Sequence, residues 1–179
     1  MTVFFQFDHA DAFTAGAVGR PGERTFYLQV RAEGEHVTVK CEKQQVEAMA
    51  QYLRGLLADL PAPNDLPTAD AMELAEPLEQ AFVLGPIGLA FDRESGRCGV
   101  QLEELLVEEI EEMGDDLGDD LGPERVEEPD RSTVRTLLSP GQVLAFCEQV
   151  DGLVAGGRPP CVFCGGPIDP DGHACPRMN

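Results

Sequence analysis

Thr25-Phe-Tyr-Leu-Gln-Val-Arg31, Glu33-Gly34, Val37-Thr-Val-Lys-Cys41 and the run from Lys43 to Leu60 form a stretch whose hydrophobic period changes part-way along, and that change decides the fold. At first Phe26, Leu28 and Val30 alternate with Tyr27, Gln29 and Arg31, which gives a strand one apolar face. Glu33-Gly34 supplies a turn, and Val37, Val39 and Cys41 continue the alternation on a partner strand, making a hairpin. From Lys43 onward Val46, Met49, Ala50, Leu53, Leu57 and Leu60 recur at three- and four-residue steps, so an amphipathic helix covers one face of that hairpin. Pro61 and Pro63 end the helix.

Working outward, Val3 to Phe7 reads as a first strand, followed by a loop containing Gly16, Gly19, Pro21 and Gly22. Residues 61–77 contain four prolines and read as a linker. A second unit begins near Leu78, with strands through Phe82-Val-Leu84 and Ile87-Gly-Leu-Ala-Phe91, a turn at Arg93 to Gly96, and a strand through Cys98, Val100 and Leu102. Thr133 to Leu138 is a further strand. Ser139-Pro140 is a helix start, with Ser as N-cap and Pro in the first turn, and the helix runs to about Ala155. Residues Gln45 to Ala58 align without a gap on Gln142 to Ala155, pairing Val46 with Val143, Ala50 with Cys147, Leu53 with Val150 and Leu57 with Val154. The expectation is an α+β fold of two strand-hairpin-plus-helix halves, residues 1–60 and 78–157, related by internal repeat and followed by a small zinc-binding module at 158–179. The competing explanation is that any two amphipathic helices share an apolar stripe.

The formal net charge is −20, with 33 acidic and 13 basic residues. Such a balance disfavours direct binding to nucleic acid or to an anionic membrane surface. The N-terminal Met-Thr-Val-Phe-Phe-Gln-Phe-Asp has no basic region and reads as strand, and Ala81 to Phe91 is too short and too interrupted to span a bilayer. A cytoplasmic protein is expected. Between Glu103 and Asp130 lie fourteen acidic residues and one basic residue, Arg125. That run reads as a solvated acidic loop, without order from Gly114 on; docking of a basic partner is the alternative.

Chemistry concentrates at the C-terminus, in Cys161-Val-Phe-Cys164-Gly-Gly-Pro-Ile-Asp-Pro-Asp-Gly-His173-Ala-Cys175-Pro. Two cysteines separated by two residues can aim both thiolates at one ion, and the following glycines let the backbone curl round the sulfurs. Asp169-Pro-Asp-Gly172 is a β-turn that brings the chain back, and His173 and Cys175, two apart, share a face in an extended segment. Cys161, Cys164, His173 and Cys175 are therefore the expected ligands of a closed structural Zn2+ site. A redox Cys-x-x-Cys should open a helix, which Gly-Gly-Pro does not; a disulfide would need an oxidising compartment; an open fourth position would make the site catalytic. Cys41, Cys98 and Cys147 lie in apolar surroundings and read as buried thiols.

Two weaker signals remain. Gly16-Ala-Val-Gly-Arg-Pro-Gly22, with Arg20 and Arg24 nearby, has the composition of an anion cradle, but a strand follows it where a phosphate loop needs a helix, so a hairpin loop is the expectation. His9 reads as a loop histidine and His36 as an exposed one beside a turn.

Ala17 to Gln29, Glu42 to Val46, Gly88-Leu-Ala-Phe-Asp92 and the zinc-ribbon-like Cys161-x-x-Cys-Gly-x-Pro-x-Asp-Pro-x-Gly-His-x-Cys-Pro-Arg177, taken in order, resemble an uncharacterised bacterial family. That family is mainly actinobacterial and is catalogued as a domain of unknown function; the resemblance implies no activity. The expected function is a zinc-containing binding or adaptor protein with an unknown protein partner. The alternatives are an enzyme, a hydrolase or transferase acting on a phosphorylated small molecule through Arg20 or Arg24, and a thiol-redox or metal-sensing protein.

Overall fold

The computed structural model describes residues 2–106, 130–169 and 171–177. Seven strands, β1 (Phe4–Gln6), β2 (Ala12–Val18), β3 (Thr25–Ala32), β4 (Glu35–Cys41), β5 (Gln80–Asp92), β6 (Arg97–Glu104) and β7 (Thr133–Leu138), form one sheet in the order β1-β7-β6-β5-β4-β3-β2. Among the described residues two α-helices, α1 (Lys43–Leu57) and α2 (Pro140–Ala155), accompany the sheet in a mixed α/β fold. β2 to β4 are an antiparallel meander followed by α1, and β5 to β7 are another followed by α2. Parallel pairing of β4 with β5 joins the two, so both expected halves contribute to one continuous sheet. Most of the acidic run, residues 107–129, lies outside the described residues.

The sheet is strongly curled, and chain connectivity shows why. β1 and β2 stand at opposite ends of the strand order, yet only Phe7 to Asp11 connect them. In a flat sheet six strand spacings would separate them by about 29 Å, whereas the six residue steps from Gln6 to Ala12 reach at most about 21 Å. Backbone hydrogen bonding continues through the bend: Phe7 N–H donates to Arg135 O at 2.9 Å, Ala10 N–H to Leu137 O at 3.3 Å, and Asp11 N–H to Arg31 O at 2.7 Å. β1 and β2 thus act as one bent strand that holds β7 on one side and β3 on the other.

This curl brings α2 onto β2. Phe146 packs on Phe13 with ring centroids 4.8 Å apart, and the Gln142 and Gln149 amides donate to Ala10 O (2.7 Å) and Ala15 O (3.2 Å). The Ser139 cap is formed, its hydroxyl accepting from Gln142 N–H while Gln142 Oε1 accepts from Ser139 N–H. α1 lies beside α2: Cys147 Sγ donates to Ala50 O at 3.5 Å, and Arg54 reaches both Cys147 O (3.0 Å) and the Asp151 carboxylate. These contacts advance in the same direction on both helices, so the two run parallel. The apolar positions expected on the hairpin and on α1 as far as Leu53 are buried in this core, Leu57 is half-buried against it, and Leu60 follows the end of the helix at Leu57.

β2 replaces the loop expected over Gly16, and the reason is burial on both faces. Phe13 and Ala15 face the helices, while Thr14 and Gly16 face residues 69–78, the end of the Pro-rich segment, which includes a one-turn helix at Ala69–Met72. Strands buried on both sides lose the period-two pattern. Thr14 Oγ1 donates to Met72 O (2.6 Å), and the Gln29 amide grips Ala75 at both ends, Nε2 to its carbonyl (2.9 Å) and Oε1 from its N–H (2.7 Å). Arg31 donates to Ala71 O and Glu73 O. His36, expected to be exposed, is instead half-buried, with Nε2 3.0 Å from Pro77 O. Gly16 leaves room for Leu74, whose side chain would have to shift to admit a Cβ there. Gln29→Ala should therefore cost about 3 kcal/mol, since it leaves two backbone groups of Ala75 without a partner. Urea unfolding checks the loss, and limited proteolysis should show faster cleavage within 69–78; wild-type stability and protection would refute the clamp.

Cys41, Cys98 and Cys147 are buried free thiols. Burial pushes Cys41 up to about 12, with the Glu42 charge adding to it, and burial raises Cys147 to about 11 although Arg54 pulls the other way. The ordinary value is 9.0. The unfolded chain therefore releases these protons at lower pH than the folded one, and the stability they contribute is present below pH 9 and lost as pH rises toward 12. Replacing both by Ala should flatten the decline in denaturation midpoint across that window.

Candidate metal centre

α2 ends at Ala155, and the chain beyond it folds back twice in short turns. Gly156 N–H and Gly157 N–H donate to Gly152 O (2.9 Å) and Val154 O (3.1 Å), which closes the helix. Two isolated bridges, Pro160 with Pro167 and Asp169 with Gly172, then define the module. In the first turn Cys161 N–H donates to Gly166 O (2.7 Å) and Gly165 N–H to Cys161 O (2.8 Å), with Gly165 at φ +73° where a side chain would be strained. In the second, Gly172 N–H donates to Asp169 O at 2.8 Å, the i to i+3 bond of the expected β-turn, with Gly172 at φ +95°.

These turns bring Cys161, Cys164, His173 and Cys175 together with every ligand atom within 4.8 Å of the others, a cluster that can hold a metal ion. Cys161 Sγ lies 3.8 Å from Cys175 Sγ, and Cys164 Sγ lies 3.7 Å from His173 Nε2. A disulfide needs sulfurs about 2.05 Å apart, so the pair is not one. A tetrahedral site with metal–sulfur bonds of about 2.3 Å and metal–nitrogen bonds of about 2.0–2.1 Å has a sulfur–sulfur edge of about 3.8 Å and a sulfur–nitrogen edge of about 3.6 Å, close to the two separations. Gly166 N–H also points at Cys164 Sγ at 3.4 Å, the kind of outer contact that steadies a thiolate.

The electrostatics favour one thiolate before any metal binds. Backbone N–H groups of Cys164 and Phe163 directed at Cys161 pull its thiol down to about 6, with His173 adding to the effect against the cost of burial. Cys175 moves up: an Arg177 N–H contact lowers it, but desolvation and the adjacent Cys161 and Cys164 sulfurs outweigh that contact. Cys161 and Cys175, 6% and 9% exposed, are the buried residues of the described part of the module, so its interior consists of ligands.

The remaining residues singled out in the sequence fall elsewhere. His9 is exposed in the bend between β1 and β2. Arg20 is exposed in the β2–β3 turn, whereas Arg24 donates from Nη1 to Leu153 O (3.1 Å) and stacks over the Phe26 ring at 5.3 Å. The reading of the sequence missed Arg158, which pairs with Asp169 at 2.8 Å, and nothing in the local pattern marks it.

Residues 5–175 match a family described as a protein of unknown function, DUF3090. The chain belongs to this family. No curated protein and no solved structure matches it. Among the described residues of this DUF3090 member, no helix is long and apolar enough to cross a membrane.

Thiol chemistry tests the geometry directly. In natively purified protein at pH 7, iodoacetamide should leave Cys161, Cys164 and Cys175 protected, and removal of the metal with a chelator should open all three to labelling. Cys41 and Cys147 should stay unlabelled until the protein is unfolded. Equal labelling of Cys41 and Cys161 in folded, chelator-treated protein would contradict the assignment.

Proposed function

We propose that this protein is a cytoplasmic zinc-containing binding or adaptor protein, in which Cys161, Cys164, His173 and Cys175 hold a structural Zn2+ and the module presents a rigid surface to a protein partner. The observation that carries the reading is the placement of Val162 and Phe163, 89% and 55% exposed, on the turn between two ligands. Four ligands close a tetrahedral site, so the zinc would supply structure and hold this turn in shape. Arg177 Nη1 donates to Phe163 O at 3.0 Å and braces the same turn from the other end of the motif. Two apolar side chains held outward on a stiff tip, with an arginine beside them, fit an apolar pocket on a partner. Three thiolate ligands suit a reducing compartment, and the charge of −20 disfavours nucleic acid as the partner.

We also infer that the two meander-plus-helix units arose by duplication. A constant offset of 97 residues relates Gln45 to Gln142, Ala50 to Cys147 and Arg54 to Asp151, and the last two pairs touch across the helix interface. Gln45 and Gln142 have the same job: each accepts from the N-cap N–H and donates to a backbone carbonyl, Leu84 O within β5 for one and Ala10 O in the β1–β2 bend for the other.

Elemental mass spectrometry on natively purified protein should find one zinc per chain, and Cys175→Ser should lose it together with the order of residues 158–177, leaving the sheet and helices intact by circular dichroism. Val162→Asp/Phe163→Ser should retain the zinc and lose a partner that wild type captures stoichiometrically. A metal-free wild type, or undiminished capture by the double variant, would overturn the reading.

A further inference from the structure

Beyond the metal centre, a cavity at the junction of the module and the body gathers basic side chains. It encloses about 250 Å³ between the β2–β3 loop, the first turn of α1, the end of α2 and the module, and Arg24, Lys43 and Arg158 line it together with Phe26 and Gly157. The chain has 13 basic residues against 33 acidic ones, and three of the 13 meet at this one cavity. Gathering like charges costs energy, so convergence of this kind in an acidic protein points to an anion.

Each cation is positioned by a contact that leaves further donors available. Arg24 is fixed by the Leu153 carbonyl and the Phe26 ring, yet a guanidinium carries five N–H donors. Arg158 is held by Asp169 at 2.8 Å, and Lys43 Nζ lies 4.0 Å from Glu47, the outer limit of an ion pair. Both carboxylates belong in the charge count: three cations and two anions leave an excess of one positive charge. Asp169 acts as an internal anion on Arg158 that a ligand has to displace. Two glycines border the space, Gly157 for want of room and Gly22 for its backbone conformation. A Cβ at Gly157 would stand 3.1 Å from Arg24 Nη2, and one at Gly22, whose φ is +97°, would meet Arg158 and Asp169 at 3.5 Å.

We propose that this junction binds a small phosphorylated molecule, its phosphate held by the Arg24 and Arg158 guanidinium groups and by Lys43. The forked donors of arginine match phosphate oxygens, and lysine adds a point charge. The volume falls just below the usual range for small-molecule pockets of about 300–1,000 Å³, so it suits a phosphate monoester with a small body.

The test uses full-length protein whose metal content is measured first in every variant, so that loss of the module is not mistaken for loss of this site. Isothermal titration at fixed ionic strength with inorganic phosphate and then glycerol phosphate should give saturable one-site binding. Arg158→Gln and Lys43→Gln should each weaken it by about tenfold or more. Asp169→Asn, which frees Arg158, should tighten it several-fold, and Arg135→Gln, on the far side of the sheet, should leave it unchanged. Absence of saturable binding, wild-type affinity in both cation variants, weakening by Asp169→Asn, or equal loss in Arg135→Gln would each overturn the proposal.

Discussion

Five residues, Phe7 to Asp11, impose the main constraint on this molecule. They join the two outermost strands of a seven-stranded sheet, and a chain that short cannot cross a flat one. The curl that follows sets everything downstream. It places α2 against β2, with Phe146 on Phe13, and it sets α1 beside α2 so that Arg54 can bridge to Asp151. Because α2 lies along β2, its C-terminal end arrives over the β2–β3 loop, where Arg24 takes the Leu153 carbonyl. The module that continues from α2 is thereby seated on that loop, next to the first turn of α1.

With the helices on one side and the strap at 69–78 on the other, β2 to β4 are buried on both faces, unlike the outer face of β5 to β7, where Gly88, Ala90 and Arg135 stay exposed. The outward side chains Thr14, Gln29 and Thr38 are polar, and burying them is tolerable because the strap at 69–78 offers its backbone as partner. Polar side chains and strap need each other. Gln29 satisfies both backbone groups of Ala75, and Leu74 fills the space that Gly16 leaves open.

The C-terminal module obeys a different physics. Its interior consists of ligand atoms and its turns are held by a few backbone hydrogen bonds, so it has little apolar burial of its own to draw on. Ligand placement in such a segment depends on residues close in sequence: glycines at positive φ and a β-turn are enough to bring Cys161, Cys164, His173 and Cys175 within 4.8 Å. The surface around it depends on distant ones. Arg24, Lys43 and Arg158 come from a hairpin loop, a helix start and the module, and they share a cavity only because the body is curled beneath them.

Local chemistry marks what the sequence by itself determined: the β3–β4 hairpin from its alternation, both helices from their apolar spacing and the Ser139 cap, and the four-residue Cys/His cluster from its paired spacings. Each of these rests on interactions within a few residues, so periodicity and spacing carry the information. Tertiary structure alone decided that Ala12–Val18 is a strand, that the Pro-rich segment packs as a strap, and that His36 faces Pro77. β2 shows no alternation because both of its sides are buried, and a partner that covers a face from sixty residues away leaves no periodic trace in the strand it covers. The same holds for the junction cavity, whose three cations are unremarkable singly and acquire meaning only from the closure of the sheet.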